Sequence, residues 1–187
     1  MEEIKNKSTV SEKVLEQDGL LADSKSKVVS IVQFIALLSV AIFAPVINIQ
    51  AVTGTLVNAT LFVSAVLLGM PAAILIGIIP SAVSSATGLL SAAILPMVPF
   101  IIFSNAILIL IFSALRKKSY WKGIVAASFV KFAFLSMVSS FVIGYFVSEK
   151  VASKLAVMMS YPQLLTALSG GVLAYVVLGA IGKTEKE

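Results

Sequence analysis

Val28-Val29-Ser30-Ile31-Val32-Gln33-Phe34-Ile35-Ala36-Leu37-Leu38-Ser39-Val40-Ala41-Ile42-Phe43-Ala44-Pro45-Val46-Ile47 contains no charged side chain. A helix that crosses a bilayer needs about 20 mostly apolar residues, and this run has that length. Pro45 and the polar Asn48-Ile49-Gln50 end it. The pattern then repeats along the chain. A second run extends over about Val52 to Leu68 and is closed by Gly69-Met70-Pro71. A third follows from Pro71 to about Ala86, with proline in the first turn, where its missing N–H costs nothing. Further runs cover Met97 to Leu115, Gly123 to Val147 and Pro162 to Ile181. The expected fold class is therefore all-α, an integral membrane bundle of six transmembrane helices over residues 28–181. Between residues 69 and 96, Pro71, Pro80 and Gly88 also allow broken or re-entrant segments.

Composition supports the same class. Apolar residues make up 59% of the 187, charged residues 12%, and mean hydropathy is +1.05. Soluble domains carry about 25% charged residues, so this chain has too little polar surface to cover a globule in water. Its net charge of +5 encodes topology rather than nucleic-acid binding. Lys25 and Lys27 precede the first run, Arg116, Lys117, Lys118 and Lys122 fill the connection after the fourth, and Lys183 and Lys186 follow the last. The connections at 45–52 and 87–96 are uncharged. Counted over six spans, the positive-inside rule places both termini in the cytoplasm. Tyr120 and Trp121 on one side, and Tyr145 and Tyr161 on the other, read as interfacial anchors. Residues 1–27 form a polar cytoplasmic tail in which the capping box Thr9-Val10-Ser11-Glu12 predicts a short surface helix near 9–17. Residues 182–187 form a second cytoplasmic tail.

Absent residue types narrow the function. Without Cys or His the chain lacks thiolates, the commonest metal ligand and the commonest general base. Every Asp and Glu lies outside the predicted spans, so the usual intramembrane proton relay has no carboxylate. No Gly-rich phosphate loop of the Walker type is present. The expectation is a protein that is not an enzyme, has no cofactor or metal, and takes energy for uphill transport from a partner.

One charge does fall inside a span. Lys131 lies about eight residues into the fifth run, roughly 12 Å of rise. With no intramembrane acid to pair with it, an anionic ligand such as a carboxylate could supply the counter-charge, or its stem could snorkel to water. A stripe of small residues, Gly69, Ala73, Gly77, Ser81 and Ser85, recurs every four positions and permits close helix approach, inside the bundle or against another subunit. Ala167, Gly170, Gly171 and Ala174 form a shorter version. Uncharged polar groups at spanning depth include Asn58, Asn105, Ser136, Ser139, Ser140, Tyr145, Gln163, Thr166 and Ser169. Most are expected to bond between helices at about 0.6 to 2 kcal/mol each. Those of the last three spans also suit a pocket for a small organic solute, with Asn48-Ile49-Gln50 and Ser84-Ser85-Ala86-Thr87-Gly88 as its lids.

Size, the six-span layout, Leu67-Leu68-Gly69-Met70-Pro71 continuing to Gly77, Pro96-Met97-Val98-Pro99 leading to Asn105, and the turn Arg116-Lys117-Lys118 together carry a family likeness. Over residues 28–181 the chain resembles the substrate-binding S component of energy-coupling factor transporters, which import vitamins and other micronutrients into bacteria and archaea. The resemblance implies a multi-pass protein of the cell membrane and a solute pocket near the outer face. In that pocket Asn105, Tyr145, Gln163 and Thr166, with Asn58 and Thr87, would bind ligand, and Lys131 would neutralise a carboxylate. It further implies docking onto a membrane coupling subunit driven by ATPases, through small residues of the first helix. Here these are Ala36, Ala41 and Ala44, spaced differently from the family's Ala-x-x-x-Ala pattern, with Gly69, Ala73, Gly77 and Ser81 as a second small-residue face. Two other functions fit the same residues: a membrane scaffold and a stand-alone facilitator.

Overall fold

A computed structural model of the chain describes residues 2–88, 94–147 and 149–183, with side chains from residue 23 onward except those of 146, 150 and 151. Among these residues all regular structure is helical. The elements are α1 (Glu2–Phe43), a 3₁₀ turn (Ala44–Ile47), α2 (Gln50–Leu67), α3 (Met70–Ala86), a second 3₁₀ turn (Leu95–Met97), α4 (Val98–Leu115), α5 (Tyr120–Phe146), α6 (Glu149–Met158) and α7 (Tyr161–Ala180).

Five segments are long and apolar enough to cross a membrane: Asp23–Ile47, Gln50–Leu67, Leu95–Leu115, Tyr120–Tyr145 and Ala152–Ala180. The chain is thus a multi-pass helical membrane protein. The expected sixth, α3, is apolar but has only 17 residues, about 26 Å of rise against roughly 30 Å of hydrocarbon. It is nevertheless one continuous helix that runs through Pro80, not the broken segment that proline allowed. Gly69 adopts a left-handed φ of +83°, which lets α3 start directly after α2.

Three boundaries differ from the sequence reading. Helix α1 is already helical at Glu2, so the polar leader continues into the first apolar run rather than forming a separate helix at 9–17. The capping-box side chains lie outside those described. Helix α5 begins at Tyr120, which moves Lys131 to about 16 Å along its axis. Glu149–Met158, expected to be a charged connection, is the short helix α6. Its apolar residues Leu155 and Met158, with Met159 just after it, pack with Met97, Leu135 and Val142. This amphipathic face was masked by the neighbouring charges.

The most extensive contact is between α2 and α7. Small residues make it possible: a Cβ on Gly170 would stand 2.7 Å from that of Asn58 and 2.8 Å from the Ala59 nitrogen. Gly171 likewise admits Ile124 of α5. The stripe on α3 is also used internally, since Ala73 and Gly77 are buried and Gly77 faces Asn105, Leu61 and Ile109. These two positions are therefore covered by the chain's own helices, which removes them from any face offered to a partner. Along α1, by contrast, Val28, Val29, Ile31, Val32, Ile35 and Ala36 are exposed.

Hydroxyl groups do less bridging than expected. Thr60, Ser64, Ser104, Ser139, Ser140 and Thr166 all donate to carbonyls three or four residues back in their own helices. That satisfies each donor locally, where no water is available to do so. Tyr120 is buried rather than interfacial. Its hydroxyl donates to the Gly171 carbonyl at 3.2 Å, and its ring packs against Phe112, Trp121 and Tyr175.

Candidate functional site

Three residues distant in sequence converge at mid-bundle. The Lys131 Nζ donates to Asn58 Oδ1 on α2 and to Asn105 Oδ1 on α4, both at 2.7 Å. Lys131 is 3% exposed and the two asparagines 2% and 3%. The lysine therefore points into the bundle and does not snorkel. Among the described residues an ammonium there has two neutral acceptors and no carboxylate, which is a partial solution to burying an ion.

Each asparagine is backed by a glycine of a neighbouring helix. Gly170 of α7 lies against Asn58, and a Cβ added at Gly77 of α3 would stand 3.3 Å from the Asn105 Cβ. The Gly77 carbonyl also accepts a hydrogen bond from Asn105 Nδ2 at 3.3 Å. Larger residues at either glycine would push the amides away from Lys131.

A cavity of about 410 Å³ opens beside this triad, within the usual size range for small-molecule sites. Its inner part holds Lys131, Asn58 and Asn105, while Ser84, about 10 Å of rise beyond Gly77 on α3, lies toward the other end. Its other end is built from Pro45 and Asn48 after α1, Gln50 at the start of α2, and Lys154 and Met158 of α6. Asn58 lies about 12 Å along α2 from Gln50, which measures the depth between these two tiers. The side-chain amides of Gln50 and Gln163 both donate to the Met158 carbonyl, at 2.8 and 3.1 Å. Carbonyls at a helix C-terminus lack intrahelical donors, so the two glutamines pin the end of α6 over the cavity.

The inner tier is rich in donors. A lysine ammonium has three N–H groups and no acceptor, so both asparagines must turn their oxygens toward it. With two N–H groups occupied, one remains. The Asn58 Nδ2 group makes no protein hydrogen bond among the described residues. Such an arrangement is complementary to an anionic or carbonyl oxygen.

Of the residues expected at a solute site, Lys131, Asn58, Asn105 and Gln163 line this cavity. Tyr145, Thr166 and Thr87 do not. Tyr145 is 73% exposed and stacks near Phe141. Thr166 is buried against Gly54. Thr87 caps α3 through the Val83 carbonyl. Ala41 and Ser81, expected at a docking face, border the cavity instead, and Ala44 is buried near its rim, where its carbonyl accepts from Thr53. Asn48, Gln50 and Ser84, read from the sequence as parts of the pocket's lids, do line the cavity. Sequence reading missed the glutamine clasp on α6, because two amides far apart in the chain carry no local signal. The chain has no significant match among protein-family models, curated proteins or solved structures.

Proposed function

We propose that this chain is the solute-capturing membrane subunit of an importer of the energy-coupling factor type, and that its solute is a small organic anion. The observation that carries the reading is the buried Lys131, held by two neutral amides, at the inner end of a cavity with no acidic residue among its lining. A bound anion would complete the charge balance that Asn58 and Asn105 leave open.

In this reading the bundle crosses the membrane six times, α3 included, with both termini in the cytoplasm. The first connection and the starts of α2, α4 and α7 then lie outside, so the cavity opens outward and α6 rests over its mouth. The chain contains no phosphate loop and no intramembrane carboxylate, so release inward depends on a membrane coupling subunit and its ATPases in trans. Docking falls to the exposed face of α1 that includes Ala36, since Ala41, Ala44, Ala73 and Gly77 are enclosed.

Native mass spectrometry of the purified chain tests the reading directly. The expected result is one retained small organic acid, which also raises the melting temperature of the wild type and not of Lys131→Met. In liposomes the chain alone should carry no flux of that acid. An empty protein indifferent to a broad panel of organic anions, or flux without a partner, would overturn it.

A further inference from the structure

We infer that the solute is an aliphatic acid: a carboxylate seated on Lys131 and Asn58, with a saturated body rather than an aromatic ring. This inference rests on the solute-binding reading above and specifies its substrate class.

The polar end of the cavity offers only donors to the ligand. The two asparagine oxygens are occupied by Lys131, one ammonium N–H is left, and the Asn58 amide N–H₂ is unbonded. A carboxylate presents two oxygens with several lone pairs and no donor of its own. It would satisfy both groups and neutralise the buried charge.

The walls decide what is attached to that carboxylate. They are formed by Val57, Ile76, Ile94, Ile101, Leu155 and Met159, together with smaller residues. No aromatic side chain lines the cavity among the described residues. Residues 89–93, which precede Ile94, contain none in the sequence either. Yet the chain has 11 Phe, 4 Tyr and 1 Trp. Among the described side chains these lie elsewhere: Phe62, Phe112, Tyr120, Trp121 and Tyr175 in one chain of ring contacts, and Phe103, Phe129, Phe141 and Tyr145 on exposed faces. Sites that select aromatic solutes gain affinity from offset or edge-to-face ring contacts, and this cavity has none to give. Branched aliphatic and thioether side chains instead conform to a saturated body by dispersion contacts, with methionine adjusting to irregular shape.

Water-soluble acids of matched size test this on the full-length purified protein, by calorimetry or thermal shift. The set is hexanoate, cyclohexanecarboxylate, benzoate, nicotinate and the neutral hexanamide. The expected result is that the saturated acids bind at least tenfold more tightly than the aromatic ones, and that hexanamide binds at least tenfold more weakly than hexanoate. Both comparisons use the wild type, so neither depends on a variant folding. Equal or tighter binding of benzoate or nicotinate would overturn the aliphatic class while leaving the anion site standing. If no acid outcompetes hexanamide, or none binds, the inference and the anion reading fall together.

Discussion

The Nζ of Lys131 on α5 and the Oδ1 of Asn105 on α4 are joined by a 2.7 Å hydrogen bond between two residues that are each 3% exposed. The bond stabilises the ammonium without neutralising it. This difference sets the first prediction. Asn105→Asp would give Lys131 a permanent carboxylate partner at nearly the same position. The same change sets a carboxylate oxygen against the Gly77 carbonyl, which now accepts from Asn105 Nδ2, at a cost of about 1–3 kcal/mol, so the melting temperature of the empty protein should change little. Affinity for an organic anion should fall at least tenfold, because its counter-charge is already supplied. Differential scanning fluorimetry with and without ligand reads both effects.

Gly170 and Gly77 hold the asparagines in place by having no side chain. In Gly170→Ala the new Cβ would meet the Asn58 Cβ at 2.7 Å and the Thr55 carbonyl oxygen at 2.9 Å. Because part of that contact is backbone, α2 and α7 must separate, at about 1–3 kcal/mol. Gly77→Ala is milder, with 3.3 Å to the Asn105 Cβ. It should leave melting nearly unchanged and weaken ligand binding several-fold, a split that a titration at constant temperature would measure.

Ser84 marks where the carboxylate does not sit. Its buried hydroxyl has no protein partner among the described residues, so Ser84→Ala removes a desolvated polar group that stabilises nothing in the empty protein. The variant should be as stable as the wild type or more so, by about 1 kcal/mol. Its affinity for an organic anion should be unchanged, because Ser84 lies about 10 Å along α3 from the Gly77 level that meets Asn105. A tenfold loss in the same titration would move the carboxylate to the outer end of the cavity.

The glutamine clasp controls the mouth. Replacing both Gln50 and Gln163 by leucine removes the two donors to the Met158 carbonyl and frees the end of α6. Ligand should then leave at least tenfold faster, while the association rate changes little. Stopped-flow dissociation from a preloaded protein provides the measurement.

Six spans with both termini inside can be tested with introduced thiols, since the chain contains no cysteine. Asn48→Cys should react with a membrane-impermeant maleimide in intact cells. Ser119→Cys should react only after permeabilisation. Labelling of both from outside would mean that α3 does not cross.

The sequence by itself determined the class of this protein and most of its helix ends. Long uncharged runs have no stable state in water, and in lipid they must satisfy their backbone internally, which only helices of that length can do here. Val28 to Ile47, bounded by Lys27 and Asn48, needed nothing else to be read. The sequence also marked Lys131 as exceptional, because one ammonium among apolar residues stands out whatever surrounds it. Only the tertiary structure decided what Lys131 meets. Its partners lie 73 and 26 residues away, and no local pattern links them. The reason is physical. In a soluble helix the inward face is the apolar one, so periodicity reveals it. In a bilayer both faces are apolar, and lipid-facing Phe141 and cavity-facing Ile101 look alike in sequence. Which way Asn58 and Asn105 point therefore follows from how closely Gly77 and Gly170 let the helices approach.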